Sequence, residues 1–264
     1  MVSLWIGPLG RLREVPDKAA EFDRSINLGV SEFAALGGGV TTTRLATPPR
    51  RMTLSWPGLP DDDARWLEAL ARRVFGPGPL AVLDPTSRNL LEGGQSQGIA
   101  PRSMIGLVGF GTLTEQPDRT LTVTDTQAGS QLFYLHSHWG GWPVAAGLPV
   151  SFTSGLTDAG AVCLLDFFDA AGTYVGGSDP APVTTALPPT GAVVALPKVT
   201  LPALTTPTPV GTAILRVGEP ITPGEPAPIG DGCPAMTVTA YTDQPRHPHR
   251  GLSLTLVEVR RARS

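Results

Sequence analysis

The sequence predicts a mainly β protein: an N-terminal β-barrel or sandwich-like domain with one inserted helix, followed by a C-terminal β-sandwich of the jelly-roll type. Three observations carry that prediction. Gly (31) and Pro (28) together fill about 22% of the 264 positions, and both disfavour the interior of a helix or central strand. Hydrophobic residues make up 41% and the mean hydropathy is +0.06, which is enough apolar material for a core. Finally, apolar and polar residues alternate in short runs separated by turn formers, the period of half-buried strands.

Residues 1–88 form the first expected domain. Its extended segments are SLWIG, RLREV, SINLGV, VTTTRLA, RRMTLSW and PLAVLD. RRMTLSW sets Met52, Leu54 and Trp56 on one side and Arg51, Thr53 and Ser55 on the other. LGGG before the Thr run marks a loop or bulge. The one helix signal is LPDDDARWLEALARRVFGPGP, with Asp61 as cap, acidic residues in the first turn, Arg72 and Arg73 in the last, and Gly76-Pro77-Gly78-Pro79 as the exit. Trp66, Leu67, Leu70, Val74 and Phe75 recur at helical spacing and make one apolar face.

Residues 89–264 form the second expected domain, where the helical signal ends. Strand candidates follow as GLVGFGTL, RTLTVTDT, SQLFYLHSHW, LPVSFTSGL, AVCLLDFFDAAGTYV, GAVVALPKVTL, GTAILRVG, AMTVTAYT and GLSLTLVEV. About nine strands with turns between them indicate a sandwich or jelly roll. The Pro-rich stretch 178–209 is expected to supply its loops and edge strands, because Pro is tolerated at edges.

Charge and composition exclude several classes. With 23 acidic and 20 basic residues the net charge is −3, so there is no electrostatic case for nucleic acid or a membrane surface. Only Lys18 and Lys198 accompany 18 arginines, which fits a coding bias. No run approaches the ~20 apolar residues of a membrane span. The opening MVSLWIGPLGRLREV shows no secretory-signal pattern. Cys163 and Cys233 are too few for a disulfide framework, and Cys163 in AVCLLDFF is expected to be a buried free thiol.

No motif predicts catalysis, a metal or a cofactor. The sequence has no G-x-S-x-G elbow and no H-E-x-x-H, and LGGG and GFG lack the Lys and following helix of a phosphate loop. Asp166 and Asp169 lie three apart, on opposite faces of a strand, and DAAG reads as a hairpin turn. Asp61 to Asp63 read as helix-start charges. The pairs His136/His138 and His247/His249 share the i, i+2 spacing of a chelating strand. Neither has a carboxylate or Cys at ligand spacing, so exposed or hydrogen-bonding histidines are expected.

Aromatic residues are the better binding candidates. Trp139 and Trp142 in HSHWGGWP lie among Gly and Pro, where rings can stack on sugar faces or plug the end of a core. Tyr174 and Tyr241 at expected strand ends are further glycan-binding candidates. Trp5, Trp56 and Trp66 fit apolar faces, in a core or a subunit interface. Trp5, with the loop Leu36, Gly37, Gly38 and Gly39, is the expected subunit contact.

The order of WIGPLGRLREV, FDRSINLG, LGGGVTTTRL, PPRRMTLSW, the acidic-capped helix and GPGPLAVLDPTSRNLL resembles the N-terminal domain of distal tail (Dit-like) proteins, minor tail proteins of actinobacterial tailed phages. The resemblance covers about the first 90 residues. The remainder, with GLPVSFTSGL, LLDFFDAAGTYV and LSLTLVEV, is similar to carbohydrate-binding-module-like jelly rolls, but lacks their Asp-Asp-Val closing signature. The resemblance implies a non-enzymatic virion tail protein assembled in the host cytoplasm as a ring, usually a hexamer. It implies contacts with tail tube, tape-measure and tail-tip or baseplate hub proteins, and an outward domain for host cell-wall glycan. The alternatives are a carbohydrate-binding adhesion module and a cell-wall hydrolase.

Overall fold

The computed structural model describes residues 3–15, 21–26, 28–34, 38–43, 45, 48–84, 86–99, 104–246 and 249–259. It is mainly β, with 48% strand and 9% helix. Two compact units divide the chain: residues 1–14 with 81–233, and residues 15–80 with 234–262. The expected boundary at residue 88 does not coincide with this division. The two units interleave along the chain, each built mainly from two separate stretches.

The smaller unit is built on a four-stranded antiparallel sheet ordered Met236–Arg246, His249–Glu258, Arg50–Leu59, Glu21–Ile26. The sequence assigns the two C-terminal strands to the sandwich, but they close this sheet instead. The register gives the reason. Leu252, Leu254 and Leu256 lie opposite Trp56, Leu54 and Met52, and all six are buried. The alternation expected in RRMTLSW thus meets a matching alternation about 200 residues away, and each cross-strand pair adds to the core.

The helix Asp61–Ala71 packs on this sheet through buried Ala64, Leu67 and Leu70. Pro60, not Asp61, holds the N-cap position, and Asp61, Asp62 and Asp63 occupy the first turn. There they complement the positive end of the helix dipole. No basic residue lies in the last turn; Arg72 is the C-cap and pairs back with Glu68 at 2.7 Å. The apolar stripe is narrower than expected, since Val74 is exposed and Trp66 only half-buried, its ring 4.6 Å from that of Phe75.

The larger unit is a sandwich. Its main sheet runs Tyr174–Gly177, Val162–Phe168, Val194–Thr200, Gln131–Tyr134, Ile105–Val108, with Trp142–Pro143 also pairing on Val194–Thr200. A second sheet runs Val183–Ala186, Val150–Ser154, Ala213–Val217, and a third Thr208–Pro209, Leu121–Thr124, Thr112–Glu115. One core joins them: Leu132, Tyr134, Leu165, Phe167 and Val199 meet Phe152, Leu215, Leu121 and Val123. The DAAG hairpin forms as expected, with Asp169 Oδ1 accepting from the backbone N–H of Ala171 and Thr173.

Two features of this unit depart from expectation. A short helix, Gly93–Ser96, lies where no helix is expected, held by a capping box between Glu92 and Gln95. The Pro-rich stretch, expected to supply loops and edges, provides an edge strand at Val183–Ala186 but also the central strand Val194–Thr200, with Pro197 inside it. Pro197 is tolerated because of where its missing N–H would point. Opposite it, Leu165 directs its N–H and C=O away, to Ser178. On the other side the neighbouring chain pairs only at residues 198–200 and 194–195, leaving a gap at Pro197. No ladder bond is lost there.

Candidate functional site

The gap beside Pro197 is made by the loop 135–141, which carries His136 and Trp139 and leads into Trp142. His136 is buried. Its Nε2 donates to the Cys233 carbonyl at 2.7 Å, and its Nδ1 accepts from the backbone N–H of His138 and Trp139 at 3.0 and 3.2 Å. Gly140, at φ 78°, turns the loop so that residues 136 and 140 bridge each other. Both imidazole nitrogens are therefore engaged within the protein, and His136 with His138 is not a chelating pair. His247 lies outside the described residues, and among those described no group of three or more His, Cys, Asp or Glu is arranged to hold a metal ion.

The four aromatic candidates do not form one platform. Trp142 is fully buried, its Nε1 donating to the Tyr134 carbonyl at 3.0 Å and its ring edge-on to His136 at 4.9 Å. It is a core residue, which corrects the expected sugar-stacking role: a ring packed on all sides has no face to present. Trp139 is half-buried and stacks on His136, with centroids 4.5 Å apart and planes at 25°. Tyr241 lies within the 11-residue strand Met236–Arg246, not at a strand end, on the face shared with buried Leu254. Burial first, then the charges of Asp243 and Glu68, raise its phenol above the ordinary value. Tyr174 is the exposed one, at 57%, its ring edge-on to Phe168.

Around Tyr174 lies a feature that spacing along the chain does not reveal. Asp166 and Lys198 share the outer face of the main sheet, with Nζ 2.5 Å from Oδ2 and both side chains mostly buried. A Cβ on Gly177 would sit 3.0 Å from the Tyr174 hydroxyl and 3.2 Å from Asp166 Oδ1, so glycine keeps this spot open. The sheet thus presents an aromatic ring, a carboxylate and an ammonium side by side.

A separate cleft of about 450 Å³ is lined by Thr86, Ser87, Arg88, Arg216, Val217, Glu219 and Glu225. Arg216 is tied into its wall, donating from Nε to the Arg88 carbonyl and from its two terminal nitrogens to the Glu225 carboxylate. Those hydrogen bonds hold the Glu225 carboxyl below its ordinary value. The wall is charged but internally matched.

The residues expected at a subunit contact are divided between the two units. Leu36 and Gly37 lie outside the described residues; Gly38, at φ 82°, and Gly39 are exposed with open space around them. Trp5 belongs to the larger unit, where Leu4–Gly7 pairs with Ala81–Leu83, and it packs half-buried against that unit's core with its Nε1 buried and unbonded. The strands flanking the glycines, Ser31–Ala34 and Val40–Thr43, pair only with each other among the described residues, and every residue in both is exposed. Sequence reading did not mark the exposed apolar side chains around these strands.

No family model matches the sequence, and no curated protein matches it. The fold defines a mainly β, two-unit protein whose exposed features are aromatic and apolar surfaces.

Proposed function

We propose that this chain is a structural subunit of a phage tail, a distal tail (Dit-like) protein that forms a ring, hexameric as in that family, and joins the tail tube to the tip or baseplate. It is non-enzymatic in this reading, with the tape-measure and hub proteins as its other partners. The observation that carries the proposal is the interleaving of two compact units: the chain leaves the smaller one after residue 80, builds most of the larger one over 81–233, and returns at 234 to close the sheet it left. In this reading the smaller unit serves assembly and the larger one faces outward. The segment order quoted above supplies the resemblance. The test is particle assembly without the protein: open or tipless tails are expected, and normal closed tails overturn the proposal.

A second reading, glycan adhesion by the sandwich, is favoured by exposed Tyr174 beside the Asp166–Lys198 pair. Aromatic rings bury sugar faces while flanking charges hydrogen-bond hydroxyl groups. Tyr174→Ala and Trp139→Ala are expected to abolish binding to host cell walls with folding intact. Unchanged binding sinks this reading.

A further inference from the structure

Beside its four-stranded sheet the smaller unit carries a separate two-stranded ribbon. Glu21–Ile26 pairs with residues 50–55, the Leu45 N–H donates to the Leu28 carbonyl, and Ser31–Ala34 pairs with Val40–Thr43. The neighbouring strand His249–Glu258 reaches only Arg51 on this side. Beyond that point the ribbon has no third strand among the described residues. A two-stranded hairpin standing alone in water is marginal at best.

Its composition sharpens the problem. Ile26, Leu28, Val30, Phe33, Val40 and Leu45 are each between 47% and 64% exposed. They are half of the exposed large hydrophobic side chains among the described residues, gathered within 20 positions. Phe33 lies opposite Thr41 and Val40 opposite Ala34, so these two apolar side chains point to opposite faces of the ribbon. Each face of the paired strands thus carries an exposed apolar side chain among polar ones, Phe33 with Ser31, Thr41 and Thr43 on one face and Val40 with Glu32 and Thr42 on the other.

We infer that the ribbon Ser31–Ala34 with Val40–Thr43, together with the exposed Ile26, Leu28, Val30 and Leu45, is an assembly arm covered on both faces by a second copy of this chain. This inference rests on the ring proposed above and names the surface that would build it. The six side chains present on the order of 600 Å² of apolar area, set against roughly 800 Å² per partner in a standard interface. The arm therefore supplies most of what a stable self-contact needs. The same unit also has a receiving surface: past its bridge with Leu80 at Met236, the outer edge of the strand Met236–Arg246 has no paired strand among the described residues. An arm on one copy and an edge on the next make a heterologous contact, the kind that closes into rings.

The test uses the full chain in solution. Light scattering coupled to size exclusion is expected to show an oligomer for the wild type at tens of micromolar. It is expected to show only monomer for Phe33→Glu/Val40→Glu and for a variant whose residues 28–45 are replaced by an Asn-Gly turn. Phe33→Glu/Val40→Glu should keep the wild-type circular dichroism, since both side chains are exposed, and the shortened variant should still melt cooperatively. A monomeric wild type overturns the inference, and so does an oligomer that survives both changes. Particle assembly is a separate readout, so a tail protein whose arm grips a different partner would fail here and still pass the test of the ring's place in the tail.

Discussion

His136 holds Cys233 across 97 residues, its Nε2 donating to the Cys233 carbonyl at 2.7 Å. This bond ties the loop 135–141 to the segment where the chain is about to leave the sandwich. Because Nδ1 already accepts two backbone N–H groups, the neutral Nε2–H tautomer is the one the site accommodates. His136→Ala removes one hydrogen bond from a buried carbonyl and one from each of two N–H groups. A loss of about 3 kcal/mol is expected in urea denaturation. A loss below about 1 kcal/mol would show that the loop re-forms its bonds without the imidazole.

Asn89 does a similar job at the entry to the sandwich. Its Nδ2 donates to the carbonyls of Ala213 and Pro228, and its Oδ1 accepts from the N–H of Leu91 and Leu215, all with the residue fully buried. Asn89→Asp is expected to destabilise at least as much as Asn89→Ala, by about 3 kcal/mol or more, because a carboxylate would face two carbonyls with no proton to share. Thermal melts of the two variants decide the order.

Trp142 and Trp139 are separated by stability measurements. Trp142→Ala empties a fully buried site and is expected to cost about 3–5 kcal/mol. Trp139→Ala removes a half-buried ring stacked on His136 and is expected to cost about 1 kcal/mol. Equal costs would contradict the different burial of the two rings.

Burial pushes the Cys163 thiol up to about 12, so almost none of it is thiolate at pH 8. Cys233 is buried as well. Native protein is expected to resist a thiol-specific reagent at pH 8, and denatured protein to react at both cysteines. Rapid labelling of the native state would show that the sandwich opens locally.

Arg250 gathers acidic partners in the smaller unit, with Asp243 bound through two nitrogens and Glu68 Oε2 at 3.1 Å. The hydrogen bonds from Arg250 hold the Asp243 carboxyl below its ordinary value of 3.8. A depressed folded value means that the stabilisation is complete above pH ~4 and declines as the pH falls further. Arg250→Met is expected to lower stability by about 1 kcal/mol at pH 7, with the difference shrinking towards pH 3. A difference independent of pH between 7 and 3 would remove Asp243 from the account.

Much of the local structure was legible in the residues themselves. Alternation in RRMTLSW marked Met52, Leu54 and Trp56 as core, DAAG marked a hairpin, and the acidic run marked the start of a helix. The candidate site was less legible. Trp139 and Trp142 sit three residues apart in HSHWGGWP, yet one is half-buried and stacks on His136 while the other fills the core. Spacing does not encode which side of a loop meets the sheet. The Asp166–Lys198 pair escaped notice because its members are 32 residues apart and meet only across two paired strands.

By itself the sequence determined the class of this protein: short strands, turn chemistry, one main helix and apolar faces, all of which follow from contacts within a few residues. Tertiary structure decided which strands share a sheet. LSLTLVEV alternates as well for one sheet as for another, and only the free side of Arg50–Leu59, with Trp56, Leu54 and Met52 waiting opposite, selected its place. Pairing between distant strands is chosen by a whole buried face and by the edge left open to it, and no local pattern records that choice.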